Sequence, residues 1–178
     1  MGKFPDKCLI DTNVPKTANL AGKAGHPQEL INCVLRCVEA ITYYTEHGGL
    51  VMDAGDEIFT EYRRQLSFSL RGEPGVGDKF MKWVNDNRWG FPPEDRVRIT
   101  KNGDTYNEFP HHDGLSEFDI SDRKFVAVAN AHRDNPPILQ GTDSKWWGWQ
   151  DALRDVGIEV DFLCPDYVKR KYEEKMGA

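Results

Sequence analysis

Five short apolar runs, bounded by turn residues and separated by stretches of helical periodicity, constrain this chain more than any other feature. They fall at residues 7–10, 50–52 and 97–100, from Ile138 to near Asp143, and at 159–163. Between the first two, Leu30, Ile31, Val34, Leu35, Val38 and Ile41 recur at helical spacing over 27–47, and Gly48-Gly49 ends that helix. Further helices are expected over 55–70, over 79–88 with Asp78 as cap, over 121–132 with Ser121 as cap, over 146–156, and from Pro165 onward. Pro136-Pro137 blocks continuation past His132. Residues 15–26 read as a polar connector and 109–114 as loop, with a turn at Asn102-Gly103. Strands alternating with helices imply an α/β fold, with a mostly parallel central sheet, helices on both faces and strand one in the middle.

At 178 residues the chain reads as a single domain, 1–178. The hydrophobic content of 39% suits a globular protein, and no apolar run nears the roughly 18 residues of a membrane span. The N-terminal residues lack a secretory apolar region and an N-myristoylation signal, so a cytoplasmic setting without membrane contact is expected. Cys8, Cys33, Cys37 and Cys164 contain no Cys-x-x-Cys pair and read as core residues, not as a disulfide framework. His111 and His112 lack the cysteine spacing of a zinc site. A net charge of -6 argues against a generally basic nucleic-acid surface but leaves local clusters such as Arg63-Arg64, Lys79 with Lys82, and Arg123-Lys124.

Acids stand just past three of the apolar runs: Asp11 after Cys-Leu-Ile, Asp53 after Leu-Val-Met, and Asp143 after Ile-Leu-Gln-Gly-Thr. In open α/β sheets the ligand crevice lies at the carboxyl ends of the strands. Carboxylates converging there repel unless a hard cation binds between them. Asp11 reads either as a turn residue or as a ligand held by Thr12 and Asn13. Asp122 aligns with Phe125, Val126 and Ala129 on the apolar stripe of its helix, where an acid is costly unless paired or metal-bound. Glu61 lies about 115° from the centre of its helix's apolar face and Glu57 about 155°, which favours Glu61. Asp143, beside Ser144, reads as a ligand or an Asx turn. Asp53 reads as a turn or helix cap.

Together these strings resemble the PIN-domain nucleases, metal-dependent phosphodiesterases on an α/β/α sandwich. The matching stretches are Cys-Leu-Ile-Asp11-Thr-Asn13, Asp-Glu-Ile-Phe-Thr-Glu61-Tyr-Arg-Arg-Gln-Leu, Asp-Ile-Ser-Asp122-Arg-Lys-Phe-Val-Ala-Val-Ala and Ile-Leu-Gln-Gly-Thr-Asp143, completed by Val160-Asp-Phe-Leu-Cys-Pro165. The resemblance implies a three-layer α/β/α sandwich in which Asp11, Glu61, Asp122 and Asp143 form an acidic quartet for Mg²⁺ or Mn²⁺. Asn13, Thr12 and Ser144 would support it. The chain departs from the family in an elaborated insert around 72–115, in the lysine after the fourth aspartate, and in the cluster of Trp146, Trp147 and Trp149.

Phosphodiester hydrolysis needs a hydroxide and neutralised phosphate charge, both of which carboxylate-held Mg²⁺ supplies. The expected activity is therefore a metal-dependent endonuclease, with single-stranded RNA favoured by the resemblance and Arg63, Arg64, Arg123 and Lys124 as phosphate contacts. Rival readings are a structure-specific DNA nuclease and a PIN-like scaffold that binds RNA or protein without cutting. A haloacid-dehalogenase-type phosphatase requires an acid at position 13, where this chain has Asn13. A small antitoxin or other protein, or a second copy in a homodimer, is the protein partner this reading entertains.

Overall fold

The computed structural model describes residues 4–66 and 72–177. β1 (Leu9–Ile10) is almost wholly excluded from solvent, together with Cys8 before it, as befits a parallel strand covered on both faces. α1 (Asn13–Ala18) follows at once, within a stretch expected to be a connector. Pro15 stands in its first turn, where an N–H has no helical partner to lose, so the proline is accommodated. A 3-10 turn at Gln28–Leu30 leads into α2 (Ile31–His47), which buries Cys33, Val34, Cys37, Ala40, Ile41 and Tyr44 and leaves Leu35 on the outside.

β2 (Met52–Asp53) precedes α3 (Glu57–Gln65), whose first turn is capped by the Asp53 carboxylate, accepting from the Glu57 and Ile58 N–H groups at 2.8 Å each. The expected continuation of this helix to residue 70 lies partly outside the described residues. α4 (Val76–Asn87) starts three residues before the expected position, so Asp78 caps from inside the first turn, accepting from Gly75 N at 3.0 Å. Asn19, at the end of α1, completes that cap through Oδ1 to Asp78 N. A Cβ on Gly77 would stand 1.9 Å from Pro15 O, so only glycine permits this approach of α4 to α1.

β3 (Arg96–Val97) is followed by a hairpin, β4 (Lys101–Asn102) and β5 (Thr105–Tyr106), around the expected turn. The region 72–115 thus supplies a packed helix and a sheet strand as well as an excursion. α5 (Arg123–Ala131) is entered through a 3-10 turn, Ile120–Asp122, capped by Asp119 and not by Ser121. β6 (Ile138–Gln140), α6 (Lys145–Asp155), β7 (Val160–Phe162) and α7 (Pro165–Met176) complete the chain.

The result is a mixed α/β fold with a small parallel sheet. β1 pairs with β6 and β6 with β7, while β2 pairs with β3, all in parallel. A parallel bridge between Cys8 and Leu50 links the two pieces, with Val51 N donating to Cys8 O at 2.8 Å. The resulting order, β3-β2-β1-β6-β7, puts β1 in the centre. The chain leaves β1 towards β2 and β3 on one side and returns to β6 and β7 on the other. The reversal opens a crevice between the carboxyl ends of β1 and β6, the place where such sheets bind ligands. α1, α2 and α4 pack against one another, α3 packs against α4, and α5 touches β2 and β6. Tyr62, Phe80, Phe118, Phe125 and Trp146 are fully buried, each burial contributing about 1.5–3 kcal/mol. Among the described residues, no helix is long and apolar enough to cross a membrane.

Candidate active site

The residues after β1 and β6 are clasped across the crevice. Asp11 extends the ladder, its N–H donating to Leu139 O at 3.0 Å, and its carboxylate accepts from Asn13 N at 2.8 Å. Asn13 Oδ1 accepts from both the N–H and the hydroxyl of Thr142, the latter at 2.9 Å. A Cβ on Gly141 would lie 2.7 Å from that same Asn13 oxygen, so the clasp depends on glycine there. From α3, the Tyr62 hydroxyl donates to Ile10 O at 2.5 Å and fixes the strand end from below.

The other three acids reach the same hollow from separate elements. Glu61 on α3 is satisfied at both oxygens: Thr12 Oγ1 donates to Oε1 at 2.6 Å, and the Lys124 ammonium pairs with Oε2. Asp122, at the entrance to α5, accepts from the buried indole of Trp146 at 3.2 Å and from Ser121 Oγ at 3.4 Å. Asp143 accepts from Lys145 N at 3.0 Å in the turn that opens α6. Together with Asp119, these acids line a hollow of about 210 Å³ whose rim carries the exposed Lys16 and Lys145. A larger adjoining hollow, about 390 Å³, shares Glu61, Gln65 and Ser121 and adds Arg64, Lys101 and Lys124.

Electrostatics register the convergence. Asp11 is held well above the usual carboxylate range by burial, then by Asp122, Glu61 and Asp143, against the opposing bond from Asn13 N–H. Asp122 is pushed up to about 7 by burial, then by Asp119, Glu61 and Asp143, with Lys124 opposing. Asp119 goes the other way: against the cost of its burial, the Ser121 hydroxyl and N–H and the Lys145 ammonium hold it below its ordinary value. At the amino edge of the sheet the pattern is different. Buried Asp95 is hydrogen-bonded to Lys7 at 2.7 Å and to His132 at 3.1 Å, which gives His132 a structural role. One edge has its buried acid matched by a cation, and the other gathers five acids, of which Glu61 and Asp119 have lysine partners.

Other expected residues take varied places. Glu57 faces Tyr106 across the adjoining hollow, with 3.4 Å between the tyrosine hydroxyl and Oε2, so Glu61 alone joins the quartet. Ser144 is buried with its hydroxyl bound by Lys175 at 2.9 Å, away from Asp143. Arg63 and Arg64 are exposed, and Arg64 lines the adjoining hollow. Arg123 is half-buried and donates to Phe118 O and Ser116 O, bracing the preceding loop. Lys124, expected as a phosphate contact, is only 8% exposed and is committed to Glu61 and Ser121 O. Trp146 belongs to the core, edge-on to Phe118, while it also holds Asp122. Sequence reasoning places Asp119 outside the helix, facing solvent or substrate; it lines the hollow with the four acids and accepts from Ser121 N at 3.0 Å in an Asx turn. That reasoning missed Tyr62 and the indole of Trp146, whose long-range partners leave no local trace.

Comparison with known proteins gives no match. No family model, no curated protein and no solved structure was matched to this chain. Among the described residues, no three His, Cys, Asp or Glu side chains are gathered tightly enough to hold an ion as they stand. The donors that line the hollow are nonetheless carboxylate oxygens without a thiol or imidazole, a set that suits hard cations. The hollow is thus lined by five carboxylates, with the ammonium groups of Lys16 and Lys145 beside them.

Proposed function

We propose that this chain is a Mg²⁺- or Mn²⁺-dependent endonuclease of the PIN-like kind, with a three-layer α/β/α organisation, that hydrolyses phosphodiester bonds in single-stranded RNA. The observation that carries the reading is the convergence of Asp11, Glu61, Asp122 and Asp143 at the strand reversal, where Asp11 and Asp122 are driven up by burial and by their fellow acids. Folding has brought together like charges, of which Glu61 and Asp119 are matched by Lys124 and Lys145, while Asp11 and Asp122 are left for a bound cation or protons to relieve.

Asp11, Asp122 and Asp143 would hold the cation, which when bound supplies a hydroxide at neutral pH and neutralises phosphate charge. Asn13 keeps Asp11 and the Thr142 turn in register. Trp146 fixes one oxygen of Asp122. Glu61, with Thr12 and Lys124 on its two oxygens, is placed to orient a water and to keep the Lys124 ammonium at the seam between the hollows. Lys16, Lys145, Arg64 and Lys101 border the path a strand would follow. No protein nucleophile is required.

The test is incubation of the chain with single-stranded RNA, single-stranded DNA and branched DNA, each with Mn²⁺ and with chelator. Mn²⁺-dependent cleavage of the RNA, lost with chelator and with Asp11→Asn, is the expected result. A second reading, a scaffold that binds RNA without cutting, draws support from the Lys124–Glu61 pair, because an internal cation already occupies one of the acids. RNA binding with no Mn²⁺ uptake by calorimetry would favour the scaffold.

A further inference from the structure

The hollow that adjoins the carboxylates holds about 390 Å³, within the span of small-molecule sites, and is walled by α3, the β4–β5 hairpin and the 3-10 turn before α5. It shares Glu61, Gln65 and Ser121 with the acidic hollow. It adds the exposed Arg64 and Lys101 and the carboxylates of Glu57 and Asp104. Ile120 lines it as well and is 55% exposed, an unusual position for a large apolar side chain. Resting on the reading of the chain as a nuclease for single-stranded RNA, we propose that this hollow receives the nucleotide beside the scissile phosphate, and that Glu57 makes it prefer guanine.

Charge of both signs, left unspent, selects the class of ligand. Among the described residues, Arg64 and Lys101 pair with neither Glu57 nor Asp104, although all four line the same space. A bare anion would meet the two carboxylates there, and a bare cation the two basic groups. A nucleotide carries both complements: a phosphate for the cations and base N–H groups for an acid. It also has a flat face to lie against Ile120. Single strands are read in this manner, through the faces and the Watson–Crick edges of unpaired bases.

Glu57 is placed to read such an edge. The hydroxyl of buried Tyr106 donates to Glu57 Oε2 at 3.4 Å, which leaves Oε1 without a partner among the described residues. An ionised carboxylate only accepts. Guanine presents N1–H and its N2 amine side by side, two donors for one carboxylate. Uracil presents a single N3–H flanked by two carbonyls, whose oxygens repel an acid. Adenine and cytosine each set a ring acceptor next to the amine. Guanine is therefore the base that meets Glu57 at two points without an opposing acceptor.

The experiment titrates the metal-free, isotope-labelled full chain with the 5′-monophosphates of guanosine, inosine and uridine, following backbone amides by NMR. These probes contain no phosphodiester bond, so binding is read apart from cleavage. Shifts at Gly103, Tyr106 and Ile120 are expected, with the guanosine nucleotide binding about tenfold tighter than the uridine nucleotide. Inosine lacks the N2 amine and should lose most of that advantage. Glu57→Gln should bring all three to one affinity with the amide spectrum otherwise intact, and Lys101→Ala should weaken all three alike. Equal affinities in the wild-type chain, shifts confined to another face, no binding, or a guanine preference that survives Glu57→Gln would each overturn the proposal. Any of these beside Mn²⁺-dependent RNA cleavage removes the subsite and leaves the nuclease reading standing, whereas a guanine subsite without cleavage does the reverse.

Discussion

Trp146 Nε1 donates to Asp122 Oδ2 at 3.2 Å, and the indole that makes this bond is completely buried. Trp146→Phe keeps most of the packing against Phe118 and deletes the donor. Losing a hydrogen bond to a buried charged group costs about 1–3 kcal/mol. Urea unfolding should show that loss, and an NMR titration should place Asp122 higher than its present value of about 7, because the charged form has lost support. Unchanged stability and titration would reduce the contact to packing alone.

Asp122→Asn should abolish cleavage and leave the metal-free fold as stable or more stable. The amide oxygen still accepts from Trp146, while one of the crowded charges is gone. Activity assays beside thermal melts check both halves. A variant that melts earlier yet cuts normally per folded molecule would make Asp122 a helix-entrance residue and nothing else.

Lys124→Met removes the cation from Glu61 and leaves that carboxylate beside Asp11 and Asp122. Both partners are largely shielded, with side-chain exposures of 10% and 18%, so the cost should be about 1–3 kcal/mol, below the range for fully buried pairs. Adding Glu61→Gln should restore much of it, because the double variant no longer holds an unpaired charge. Denaturation of the two single variants and the double variant measures the coupling.

Metal-free stability should fall as pH rises from about 4 to about 7. Unfolded Asp releases its proton near pH 3.9, whereas folded Asp122 keeps its proton until about 7 and Asp11 is also held up, so the folded state binds more protons across that window. Their contribution is present below the unfolded value and lost as pH climbs through the folded one. Chemical denaturation with chelator at pH 5 and pH 7.5 checks the sign, and Mn²⁺ should flatten the dependence.

Salt dependence locates the strand path. Arg64→Ala with Lys101→Ala should weaken RNA binding and flatten the slope of log affinity against log salt by about 0.7 for each phosphate that no longer meets a cation. Arg123→Ala should change the slope little, because its guanidinium is already engaged by the carbonyls of Ser116 and Phe118. The opposite ranking would move the groove to the Arg123 side.

Whatever has a period or a local partner is legible in the sequence. α2 announces itself through six apolar residues at helical spacing, and Asp122 can be placed on a buried stripe because Phe125, Val126 and Ala129 define one. α1 is not legible, since six residues with a proline inside show no period. Ser121 reads as the cap of α5, yet it lies inside a 3-10 turn that leads into that helix, and Asp119 caps the turn by accepting from the Ser121 N–H. Lys124 next to Arg123 reads as a basic pair, yet Lys124 bends inward to Glu61 and Arg123 outward to the loop. Which way each turns is fixed by α3 and by residues 116–118, which are remote from any local pattern.

The Asn13–Thr142 clasp gives the crevice the character of a notch and not of a jaw. Its two lips are stitched by one amide oxygen, and Gly141 lets that oxygen come within reach of Thr142. If the proposed strand binds here, a hollow of about 210 Å³ has room for its smallest charged parts and leaves the rest of the polymer outside.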